Sequence, residues 1–209
     1  MHNFRPELLL CAALAAFSVA ASAGSEPTPE PSGVHMLTES NLFLEGDSTV
    51  RKFSSQATKI DLKIEPDTRA QDAGVVQKLA VQKFILTVPI KALKSDSSTL
   101  DEHLQEALKA EQYPDIQAQI KTYQIKDRAP DGAYPATASV EFKIAGSTQV
   151  LPVEARIVID GTRAHVLGKK RILMTDFKIE PPTLMLGVIR TANEIDVTFD
   201  LIFGMKGTP

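Results

Sequence analysis

The chain of 209 residues has one cysteine, no tryptophan and only 6% aromatic residues. The cysteine, Cys11, lies inside the N-terminal stretch MHNFRPELLLCAALAAFSVAASA. That stretch carries Arg5, is apolar from Leu8 to Ala21, and ends in Ala21-Ser22-Ala23, small residues at the positions a signal peptidase reads. Its apolar run of about 14 residues is too short to cross ~30 Å of hydrocarbon as a helix. A lipoprotein signal would need a small residue before the cysteine, where Leu10 stands. The stretch therefore reads as a cleaved signal peptide over residues 1–23, which places the protein in the periplasm or outside the cell. Cys11 leaves with it, so no disulfide and no thiol chemistry remain. A hydrophobic core must hold the fold, and a chain of this length can bury a sizeable one in a single domain.

Other absences narrow the function. The formal charge is −3, and no segment carries a basic stripe, so nothing invites nucleic acid. No later apolar run is long enough for an integral membrane segment. Gly46-Asp47-Ser48-Thr49-Val50 lacks the second glycine of a nucleophile elbow. Neither GxxxxGK[ST] nor GxGxxG occurs, so no cofactor is implied. His35, His103 and His165 are far apart, and no His-Glu-x-x-His helix brings a metal site together. Asp176 and Glu180, beside IEPPTLMLG, read as solvated acids. No catalytic residue and no metal ligand is assigned.

What the chain does have is period-two alternation. GSEPTPEPSG (24–33) is rich in Pro, Glu and Ser and opens a loose tether over residues 24–40. The domain proper, 41–205, reads as about eight strands: 41–46, 56–65, 78–90, 115–126, 133–145, 149–160, 162–174 and 193–203. Pro130-Asp131-Gly132, Gly146-Ser147 and Asp160-Gly161 are hairpin turns that use glycine for positive φ. Strands joined by tight hairpins make an antiparallel meander. Each long strand has one apolar and one polar face, which fits a barrel or a sandwich.

Strand length and residue size bear on that choice. Residues 149–160 at ~3.3 Å each form a strand of roughly 40 Å. Ala118, Ala136, Ala138 and Ala155 face inward, and such small residues in an eight-stranded barrel leave a slender apolar channel. A core packed by local compensation is the alternative. The inward candidates are Ile60 and Leu62; Phe84, Leu86 and Val88; Ile116 and Ile120; Phe142 and Ile144; Val153 and Ile157; and Val197, Phe199 and Leu201. Odd positions 79–89 include Lys83 and Thr87, so the even set 80–90 is the inner one. His165 reads as a polar group in the lumen or at the rim. Lys169-Lys170-Arg171 reads as a solvated strand end, with contact to an anionic head group as the other option.

One stretch breaks the pattern. SDSSTLDEHLQEALKAEQYPDI (95–116) reads as a helix, with Ser98 and Asp101 arranged as an N-cap and early acids favoured by the helix dipole. Leu100, Leu104, Ala107 and Leu108 form one apolar stripe, and Pro114 ends the segment. The stripe should cover an open barrel end, with Leu100, His103, Leu104, Leu108 and Tyr113 as possible head-group contacts.

Four segments also resemble the YceI-like family of bacterial exported proteins. EGDSTVRKF (45–53) is similar to the family's early Gly-x-Ser stretch, with Phe53 where tryptophan is common. SSTLDEHLQEALKAEQYPDI (97–116) resembles its acidic-x-His-Leu helix ending in Tyr-Pro. FKIAGSTQVLPVEARI (142–157) resembles its central hairpin, and LMTDFKIEPPT (173–183) its late Asp-Phe segment. Leu100 stands where arginine is common, and Lys178 where glycine is usual. The resemblance implies an all-β fold, an extended eight-stranded antiparallel lipocalin-like β-barrel with one short helix near an open end. It also implies a long-chain lipid such as a polyisoprenoid as the bound partner; with no catalytic residue assigned above, the chain is not expected to be an enzyme. The alternatives are an exported hydrolase or isomerase acting through a histidine in the barrel mouth, and a scaffold protein with a filled barrel.

Overall fold

The computed structural model describes residues 34–66, 81–184, 186 and 188–205. The predicted signal peptide, the start of the tether and residues 78–80 of the third predicted strand lie outside them. Twelve strands and one α-helix, α1 (Ser98–Ala107), occur among the described residues. The strands are β1 (Val34–Met36), β2 (Asn41–Ser48), β3 (Phe53–Ala57), β4 (Asp61–Pro66), β5 (Val81–Pro89) and β6 (Leu93–Lys94). They continue with β7 (Asp115–Ile125), β8 (Tyr134–Ile144), β9 (Ser147–Asp160), β10 (Arg163–Leu173), β11 (Thr183–Leu184) and β12 (Ile189–Met205).

The hydrogen-bonded path runs β4-β5-β7-β8-β9-β10-β12-β2-β3-β6. Its two ends are continuous in the chain. β3 leads into β4 across residues 58–60, and β5 leads into β6 across a 3-10 turn at Ile90–Ala92. Between these breaks the Thr58 amide donates to the Ala92 carbonyl at 2.8 Å. Taken as one bent strand each, β3/β4 and β5/β6 join β2, β7, β8, β9, β10 and β12 in an eight-stranded antiparallel barrel. This is the predicted fold, with more breaks than alternation alone reveals.

Three expectations change in detail. The strand predicted over 56–65 is interrupted, because Gln56↔Lys94 and Asp61↔Thr87 belong to offset registers; Ile60 falls in the gap. The end of the predicted tether is sheet: β1 pairs with β12, as in Met36↔Phe203, beyond the point where β2 stops. The last strand, predicted as 193–203, extends to Ile189–Met205 because β11 and β1 pair with its two ends.

The turns follow glycine chemistry. Gly132, Gly146 and Gly161 have φ of 85°, 78° and 56°. Ala145 precedes Gly146 with φ 48°, so both central residues of the β8–β9 turn are left-handed, as a tight hairpin requires. A Cβ on Gly146 would also run into the Tyr113 ring. Lys178, in the position where the family usually has glycine, has φ 57° and ends the 3-10 turn Met174–Phe177. The largest fully buried side chains are Phe177, Ile90 and Leu93.

The helix begins one residue before the predicted cap. Ser97 is the N-cap, and its side chain accepts from the Leu100 amide at 3.4 Å. Asp101 is no simple dipole acid. It is buried, and its Oδ1 accepts from the amide and hydroxyl of Ser95, both at 2.8 Å. Lys94 Nζ lies 3.3 Å from its other oxygen. Asp101 thus ties the helix to the segment that delivers it from the barrel wall.

Candidate ligand channel

The barrel is hollow. One cavity of about 350 Å³ lies at the end covered by α1, and a second of about 210 Å³ lies deeper. They share the lining residues Leu42, Leu86, Ala118, Phe142 and Val197, which form a waist between two stretches of one channel. The four small residues singled out in the sequence, Ala118, Ala136, Ala138 and Ala155, all line the deeper stretch. Larger side chains there would meet across the lumen, so these alanines leave space that a packed core would fill.

Of the predicted channel residues, Leu86, Val88, Ile116, Phe142, Ile144 and Val197 line the outer cavity. Phe84, Ile120, Val153, Ile157, Phe199 and Leu201 line the deeper one. Ile60 and Leu62 line neither; they pack against the core instead, one in the β3/β4 break and one just past it. From the helix, Leu100, His103, Leu104, Ala107 and Leu108 all face the outer cavity. His103, one position off the leucine stripe, is therefore part of the cover. Tyr113 is not: it lines neither cavity, and its ring lies over Gly146 in the β8–β9 turn.

Several wall residues escaped the sequence reading. Tyr123 and Ile125 line the deeper cavity because a register shift in β7 between Ile120 and Thr122 moves the inner face from even to odd positions. Tyr123 hydrogen-bonds the Val81 amide through its hydroxyl at 2.9 Å. Ser55 is 4% exposed, yet it lines the outer cavity. The most consequential is Lys170. Its neighbours Lys169 and Arg171 both reach Asp196 on the outer face, at 3.0 and 2.8 Å. Lys170 itself stands directly opposite the inward Val197 and lines the deeper cavity. The basic run is a solvated strand end at two of its three positions only.

The outer mouth is framed by Val50, Arg51, Thr99, Pro182 and Ile189. Val50 and the β12 start are strapped together, since Thr49 N donates to Arg190 O at 3.0 Å and Arg190 N to Thr49 Oγ1 at 3.2 Å. Val50 is exposed on this rim, and so is Val188, whose carbonyl accepts from Thr49 Oγ1 at 3.3 Å. Arg51 pairs loosely with Asp96 at 3.8 Å.

The histidines separate cleanly. His165 Nδ1 is 3.3 Å from Asp200 Oδ1, but it alternates with the inward Val166 and lines neither cavity. His103 faces the cavity, and no carboxylate hydrogen-bonds it among the described residues. No group of three or more His, Cys, Asp or Glu side chains among the described residues could hold a metal. No helix among them is long and apolar enough to cross a membrane.

A closed antiparallel barrel with a helix over one end and an apolar channel within is a lipocalin-like architecture. The chain belongs to the YceI-like family, whose domain model matches residues 38–203. Three solved structures share the fold. A polyisoprenoid binding domain from Saccharophagus degradans aligns with a TM-score of 0.60 at 12% identity, covering 84% of this chain and 100% of that one. Burkholderia cenocepacia BcnA aligns at 0.59 and 14% identity, covering 78% and 95%. The Campylobacter jejuni YCEI protein aligns at 0.54 and 16%, covering 94% and 100%. No curated protein sequence matches the chain.

Proposed function

We propose that the protein binds one long-chain amphiphilic lipid of isoprenoid type in the barrel channel and works outside the cytoplasm as a carrier, store or sensor. The observation that carries this reading is the pair of apolar cavities meeting at a waist. An extended chain is the ligand shape that fits two cavities in line. Each Å² of apolar surface it hides from water contributes about 25 cal/mol. The family match supports the same reading, as does the fold shared with a domain described as polyisoprenoid-binding. The alanine-lined wall argues against a filled scaffold. A histidine-based hydrolase needs one histidine both beside an acid and facing the channel. His165 has the acid and His103 has the channel.

The chain would enter at the mouth beneath α1, leaving a polar end near His103 and Arg51 or drawing it further in. Native mass spectrometry of protein purified from its host tests this. A long-chain lipid should co-purify with the wild type and be lost from Ala118→Phe, which plugs the waist. Overpacking typically costs about 1–3 kcal/mol, and here the ring enters an existing cavity, so the variant should still fold. A lipid-free wild type that also ignores added isoprenoids would sink the reading.

A further inference from the structure

We infer that the channel is built for a lipid with an anionic oxygen, and that Lys170 receives it inside the barrel. The inference rests on the channel being a lipid site. Three observations place the lysine. It stands opposite Val197, a residue of the waist. It lines the deeper cavity, where the other wall groups are overwhelmingly apolar. Among the described residues it has no ion pair and no side-chain hydrogen bond. Asp196, the nearest acid along the neighbouring strand, is already engaged by Lys169 and Arg171 on the outer face.

A lysine at an inward position of a barrel strand is costly unless something answers it. In the empty channel, water can hydrate the ammonium. When an apolar chain fills the lumen and expels that water, an unpaired charge remains in a medium where it is strongly disfavoured. A neutral lipid would carry that penalty on binding. A lipid with a carboxylate or phosphate removes it and gains a charge-assisted hydrogen bond. Lys170 therefore selects by what it disfavours as much as by what it attracts.

The backbone around it is consistent with a polar group at this depth. Pairing between β9 and β10 ends at Gly168↔Ala155, so the wall beside Lys170 is no longer a two-sided ladder. The cross-strand row Lys170↔Val197, Val197↔Leu44 and Leu44↔Ser55 sets the Ser55 hydroxyl on the same row as the lysine. Ser55 also has no side-chain partner among the described residues. Ser55 lines the outer cavity and Lys170 the deeper one, so polar points lie on both sides of the waist, and an anionic oxygen beside Lys170 answers its ammonium. Carboxylate and phosphate share this chemistry.

Matched C20 isoprenoid ligands decide the matter: the alcohol, the carboxylic acid and the monophosphate, titrated against the full domain by fluorescence displacement. The wild type should bind the acid, the monophosphate or both about 10- to 100-fold more tightly than the alcohol. Preference for one anion over the other names the head group. Lys170→Met should abolish the preference while keeping affinity for the alcohol, which also shows that the variant is folded. Lys170→Gln gives the same readout with a polar side chain, and Lys170→Arg should retain the preference. Lys169→Met, on the outer face, should leave it unchanged. Equal affinity of the wild type for alcohol and anions would overturn the assignment of Lys170 while leaving the lipid channel intact. Failure to bind any of the three would overturn the channel reading as well.

Discussion

At the scale of single residues, the side chains that matter most are polar groups in places where alternation expects none. Asp101 is the clearest. Burial pushes its carboxyl pKa up, but hydrogen bonds from the Ser95 side chain and backbone, and then Lys94, bring it below the ordinary 3.8. A group whose pKa is lower in the folded state takes up its proton less readily there than when unfolded. Its stabilisation is therefore complete above pH 3.8 and fades as pH falls through the folded value. Asp101→Ala leaves the Ser95 amide without its acceptor and should cost about 1–3 kcal/mol at pH 7. The gap between variant and wild type in urea midpoints should narrow near pH 3; a constant gap would contradict this. Asp196 shifts in the same direction, through Arg171 and Lys169. In the sequence, Asp101 looked like one helix-start acid among several. Only the fold shows that Ser95 and Lys94 turn back on it.

At the scale of elements, the strands were legible and their irregularities were not. Hydrophobic alternation finds every long strand, because a half-buried β-surface imposes it residue by residue. It fails wherever pairing slips. The β7 register shift moved Tyr123 and Ile125 inward, and the β3/β4 break removed Ile60 and Leu62 from the channel wall. Lys170 was hidden differently: between Lys169 and Arg171 it reads as surface, until Val197 opposite fixes its phase. The helix as a cover was readable from its leucine stripe, since only an apolar partner explains it. Tyr113 illustrates the limit, because its ring serves a hairpin turn and not the ligand. Gly146→Ala forces an L-residue to φ 78° and pushes a methyl into that ring. The backbone part should cost about 1–2 kcal/mol. In Gly146→Ala/Tyr113→Ala the steric part should disappear and the backbone part persist. Full additivity of the two single changes in thermal melts would show that ring and turn are independent.

At the scale of the whole molecule, the channel must be reached from a membrane or another lipid source, and the surface suggests how. The formal charge of −3 gives no long-range attraction to an anionic bilayer. The exposed Val50 instead lines the outer cavity at its mouth, with the exposed Val188 held beside it through Thr49, and a lipid chain passing from a bilayer there would reach the outer cavity without crossing water. The Thr49 hydrogen bonds to Arg190 and Val188 fix this rim, so it is a built edge. Val50→Ser/Val188→Ser removes apolar contact at the mouth without touching the waist or the deeper wall. Its equilibrium affinity for a lipid supplied in detergent should match the wild type. Uptake from neutral phosphatidylcholine vesicles should slow by about tenfold, as expected for losing apolar surface that enters the bilayer. Raising the salt concentration should leave the wild-type rate nearly unchanged, because screening acts only on a charged approach. A double variant that loads as fast as the wild type would mean the lipid enters elsewhere, and the deeper end, past Phe203 and Tyr123, would become the place to look.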